Sequence, residues 1–106
     1  MSEHVNEEEL ARELAEELRR LRIEDVLIQT LVTISSIGYR RLGLTEDTKG
    51  DRDLQQAKLA IDTMSAMTPV LKKVVPEELI REFQQSVASL QLAYAQAAGK
   101  GADGEG

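Results

Sequence analysis

Few residues in this chain are of types that do chemistry, and their spacing limits what they can do. The single histidine, His4, stands beside an acidic run, and the chain has no cysteine to share a metal with it. Metal binding and proton shuttling both need ordered partners, so His4 reads as a solvated residue of the N-terminal segment. Glu46, Asp47, Asp51 and Asp53 gather in one polar stretch and would attract calcium by charge alone. Calcium needs six or more converging oxygens, and this spacing does not match an EF-hand loop, so Asp51 or Asp53 reads as a helix cap. Asp62 has two readings, a buried acid facing Tyr94 or Lys58, or a surface acid one turn from Lys58; the heptad count puts it on the outer side. Tyr94 reads as a core ring with its hydroxyl at the edge.

Arg19, Arg20 and Arg22 could meet an anion, but they also suit the negative end of a helix dipole with glutamate partners on the same helix. The sequence shows no glycine-rich phosphate loop, no nucleophile beside a base and no zinc spacing. No catalytic residue, metal ligand or cofactor is assigned, and the chain is read as non-enzymatic.

Composition narrows the class further. The 106 residues carry a formal net charge of −6 and three aromatics, Phe83, Tyr39 and Tyr94. A core must then come from Leu, Ile, Val, Ala and Met, which suits helices. The acidic balance argues against nucleic acid and against an anionic membrane surface, both of which need clustered Lys and Arg. The lack of cysteine fits a reducing compartment, and no cationic-then-apolar leader opens the sequence, so a cytoplasmic location is expected. The most apolar stretch, Val26 to Tyr39, is too short to span a bilayer and reads as the most buried helix.

The elements follow from caps and periodicity. Asn6 with Glu9 forms a capping box, flanked by Val5 and Leu10 at the spacing of a hydrophobic staple. Leu10, Leu14, Leu18 and Leu21 then make one narrow apolar row on a first helix over residues 6–22. A second helix covers about 25–42, centred on Leu27, Leu31, Ile34 and Gly38, with Val26, Ile28, Val32 and Ile37 widening its apolar face. Its apolar face is rotated from the first, so either a bend near 22–25 or a change of packing partner is expected. Ser35, Ser36 and Gly38 would admit a neighbouring helix closely. Gly43 fits the left-handed position after this helix.

A third helix opens at Asp51 or Asp53, with Leu54, Ala57, Ile61, Met64, Thr68, Leu71 and Val75 as a heptad-like seam. Pro69 should end or kink it near Met67, or with Thr68 cap a short new turn. A fourth opens at Pro76 and runs to Ala98, with Leu79, Phe83, Val87, Leu90 and Tyr94 on one face. The predicted fold is all-α: a three-helix core bundle over residues 23–98, with an additional N-terminal amphipathic helix over 6–22. Residues 1–5 and the glycine-rich 99–106 are expected to be disordered.

From Ile23 to about residue 96 the chain also resembles a bacterial family of small helical proteins, the domain of unknown function numbered 1844. The resemblance lies in order and spacing. Ile23-Glu24-Asp25 precedes an apolar helix ending in Leu42-Gly43; Asp53-Leu54-Gln55-Gln56-Ala57-Lys58 leads into Ala60-Ile61-Asp62-Thr63-Met64; Leu90-Gln91-Leu92-Ala93-Tyr94 closes it. The first helix lies outside this region, and Pro69 departs from the unbroken helix expected there. The resemblance implies a compact helical unit of the bacterial cytoplasm without assigned activity, some members of which are encoded near genes for translation factors and ribosomal proteins.

Apolar surface in excess of one small core is the strongest functional signal. Besides the leucine row of the first helix, Leu59, Ile80 and Leu92 lie off the main seams. Either the first helix folds back as a fourth bundle helix, or the row is covered by another chain. The leading expectation is an interaction module, a homodimer that also binds another bacterial protein, with Leu10, Leu14, Leu18 and Leu21 at the interface. The alternatives are an apolar-ligand-binding bundle walled by Met64, Met67 and Phe83, and an accessory protein linked to translation.

Overall fold

The computed structural model describes residues 6–105, with side chains described through Gly99. His4 and Val5 lie outside this range, as does the expected disordered segment 1–5. Four α-helices follow in order: α1 (Glu7–Arg20), α2 (Ile23–Leu42), α3 (Leu54–Leu71) and α4 (Glu77–Glu105). A short 3-10 turn, Lys49–Asp51, sits between α2 and α3.

Helices α2, α3 and α4 form the core, and α3 is its centre, packing against both neighbours more extensively than these pack on each other. Leu31 and Leu42 of α2 meet Ala57, Ile61, Met64 and Leu71 of α3. Ile80, Phe83, Leu90 and Ala97 of α4 complete the cluster. The expected three-helix core is therefore present, but two details of it differ from expectation. α2 is not the most buried element; only Leu31, Gly38 and Leu42 are buried on it, whereas α3 buries six residues. In a three-helix bundle an outer helix has neighbours on one side only. Around the rest of α2, Leu27, Ile28 and Ile34 are partly buried against the core, whereas Val26, Val32 and Ile37 stay in solvent. On α4, Ile80 belongs to the core, while Leu79 is only partly buried.

The helix ends obey local rules. Gly43 terminates α2 at φ 62° and ψ 35°, with its N–H donating to the Arg40 carbonyl. A side chain here would be strained, and its Cβ would come within 2.5 Å of Arg52 Cβ. Asp53 caps α3 by accepting from the Gln56 N–H at 3.2 Å. The intervening loop is tied to α2 and to α4: Asp53 N–H donates to the Arg41 carbonyl at 2.8 Å, and the Arg52 guanidinium donates to the Ala97 carbonyl of α4 at 2.8 Å.

Pro69 does not end α3 near Met67; the helix continues to Leu71 with the proline inside it. Pro69 and Ser65, whose carbonyl loses its helical donor, are both on the exposed face, where water can take that place. The helix stops two residues later, so one bond in its last turn is the whole deficit. The buried Thr68 hydroxyl is satisfied by donating to the Met64 carbonyl at 2.7 Å. At the other end, α4 passes Ala98 and continues to Glu105, so the expected disordered tail at 99–106 is helical over its described part. Gly99 does not turn into the left-handed region, and the stop signal that Gly43 supplies is missing there.

Candidate protein-docking surface

α1 forms for the reasons its sequence announces. Asn6 accepts from the Glu8 N–H at 2.8 Å, one residue earlier than the capping-box expectation. Glu7, Glu8 and Glu9 occupy the first turn and Arg19 and Arg20 the last, each sign at the favourable end of the dipole. The helix stops at Leu21 and Arg22, both extended, with ψ of 139° and 145°. Neither is a glycine or proline. Arg22 serves as the N-cap residue of α2, and its guanidinium grips Glu24 at 3.0 Å. The rotation of the apolar face is thus resolved by a two-residue break, and α1 and α2 are separate helices.

After this break α1 packs against none of the other described helices. The Cα radius of gyration, 18.9 Å, exceeds the roughly 13 Å of a compact domain of about 100 residues, as a projecting element requires. Leu10, Leu14, Leu18 and Leu21 are 54%, 56%, 61% and 53% exposed, and no residue of α1 is buried. The row lies on one face: at ~100° per residue these positions fall within about a quarter-turn of one another.

The row does not end with α1. Leu21 lines an open, mainly apolar groove with Val26, Thr30 and Ile34 of α2. Sequence reasoning missed this continuation because it assigned Val26 to the buried face. The signal was available in the helical angles, since Val26 points well away from Leu31 and Leu27. The apolar strip so formed, flanked by charges, suits another helix.

The other candidates stand apart from it. Asp47 accepts from the Thr45 hydroxyl at 2.7 Å, Asp51 pairs with Arg40 at 2.7 Å, and Asp53 is engaged as a cap. The Thr45 hydroxyl, with the Asp47 backbone amide, holds the Asp47 carboxyl below its ordinary range. Among the described residues no three His, Cys, Asp or Glu side chains are grouped to hold a metal. Asp62 is the exposed partner of Lys58 at 2.9 Å, and that bond raises the Lys58 ammonium above its usual value. Tyr94 packs partly buried against the core, whereas Leu59 and Leu92 remain exposed. Of the expected pocket walls, Met64 and Phe83 are buried in the core and Met67 packs partly buried against it. Among the described residues no helix is long and apolar enough to cross a membrane. No family model, curated protein or solved structure matches the chain.

Proposed function

We propose that this chain is a non-enzymatic interaction module that self-associates through α1. One observation carries the reading: Leu10, Leu14 and Leu18 are aligned, with Leu21 just beyond them, along a helix that packs against no other described helix. An isolated helix of 14 residues is marginal in water, so its stability must come from a packing partner. Burying a leucine fully contributes about 1.5–3 kcal/mol, and four in one row give the strip a large incentive to be covered. A second copy is always at hand, and a two-fold contact uses the same row twice.

The lack of cysteine, together with the resemblance in residue order to bacterial family 1844, favours a setting in the bacterial cytoplasm. The net charge of −6 favours a protein partner over nucleic acid or an anionic membrane. Light scattering tests the proposal. The chain is expected to be a dimer at tens of micromolar, and Leu14→Asp with Leu18→Asp is expected to return it to a monomer without unfolding α2–α4. A monomer throughout, unaffected by the substitutions, would reject it.

A further inference from the structure

The proposed self-association leaves the direction of the two α1 helices open, and the charges of α1 decide it. Resting on that reading, we propose that two copies pair antiparallel along α1, the acidic first half of each against the basic end of the other. In the first half, Glu7, Glu8, Glu9 and Glu13 stand against Arg12 alone; in the second, Glu16 and Glu17 are balanced by Arg19 and Arg20, which fill the last turn. Little of this charge is spent inside the subunit. Arg20 reaches Glu16 at 4.0 Å with both side chains exposed, and among the described residues Glu7, Glu8, Glu9, Glu13 and Arg19 form no ion pair.

Three features of α1 favour reversal over parallel alignment. Oppositely charged ends meet when one helix is turned around, whereas a parallel pair sets Glu7–Glu9 against Glu7–Glu9 and Arg19–Arg20 against Arg19–Arg20. The helix dipoles then also oppose. The leucine row is nearly symmetric about residue 16, so reversal lays Leu10 near Leu21 and Leu14 near Leu18. Geometry adds a fourth reason. α1 leaves the bundle at Leu21 and Arg22. An antiparallel pair sends the two α2–α4 bundles to opposite ends, while a parallel pair crowds them together.

The cysteine-free sequence makes the test clean, because one introduced cysteine is the only labelling site. Glu8→Cys and Ala15→Cys place a spin label near one end and near the middle of α1, both exposed and on the same flank of the leucine row. At a helical rise of about 1.5 Å per residue, antiparallel pairing separates the two labels at residue 8 by about 23 Å along the axis and leaves those at residue 15 within about 3 Å of level. The electron-resonance distance is expected to be clearly longer at residue 8 than at residue 15, and the dimer is expected to weaken as salt rises. Equal distances at the two positions would overturn the antiparallel arrangement while leaving self-association intact. No dipolar coupling at either position, with a monomeric mass, would remove the self-association on which it rests.

Discussion

Gly38 of α2 faces Ala60 of α3 so closely that a Cβ at position 38 would meet the Ala60 Cβ at 3.1 Å and Leu90 of α4 at 3.6 Å. All three core helices therefore converge where α2 has no side chain. Gly38→Ala gains up to about 1 kcal/mol of helix propensity and loses a similar amount to crowding, so its net effect is expected within about 1 kcal/mol of zero. Gly38→Val has no room for its branches and is expected to destabilise by about 1–3 kcal/mol. Urea unfolding of the two variants checks the pair.

Gly43 is the other glycine with a structural task. At φ 62°, with Arg52 Cβ within 2.5 Å of an added methyl, Gly43→Ala meets both strain and a clash. A loss of about 1–3 kcal/mol is expected, with a lower thermal midpoint in calorimetry. Gly50 has open space around it, and Gly50→Ala is expected to stay within about 0.5 kcal/mol of the unmodified chain.

Core and surface leucines should separate sharply. Leu31 and Leu90 are completely buried, whereas Leu59 and Leu92 are 58% and 64% exposed. Leu31→Ala or Leu90→Ala is expected to cost about 2–5 kcal/mol, and Leu59→Ala or Leu92→Ala less than about 1 kcal/mol. Denaturant midpoints of the four variants measure this.

Two carboxylates report local order through acid titration. Glu24 is held below its ordinary value first by its own backbone amide and then by the Arg22 guanidinium; Asp47 is held down first by the Thr45 hydroxyl. A carboxyl with a lowered folded pKa stabilises above its unfolded value, and that contribution is lost as pH falls through the folded one. The first turn of α2 and the Thr45–Thr48 loop should therefore loosen only at the acid end of the carboxylate range. By NMR titration, Thr45→Ala is expected to move the Asp47 midpoint up. Arg22→Gln should raise the Glu24 midpoint only part of the way, since the backbone amide remains.

The parts of this fold legible in the sequence are those set by local chemistry. Asn6, Gly43 and Asp53 mark helix ends because capping depends on side chains within a few residues, and the α3 seam from Ala57 to Leu71 is visible because both its neighbours lie on one face. The burial of α2 was not legible. Val26, Val32 and Ile37 are as apolar as Leu31, and only the placement of α3 and α4 decides which of them is covered. Ile80 replaces Leu79 in the core for the same reason. Pro69 misleads because its cost depends on whether its face is wet. The leucine row of α1 could be read directly, but its isolation from the bundle rests on the break at Leu21 and Arg22, where no glycine or proline stands to announce it.

The most direct test of the central claim follows amide hydrogen exchange along α1 at two protein concentrations. If a second copy covers Leu10, Leu14, Leu18 and Leu21, the α1 amides will be protected at high concentration and exchange rapidly on dilution, while those of α2–α4 keep their protection. Leu14→Asp with Leu18→Asp will abolish the α1 protection at both concentrations. Exchange in α1 that is the same at both concentrations in the unmodified chain would contradict the account.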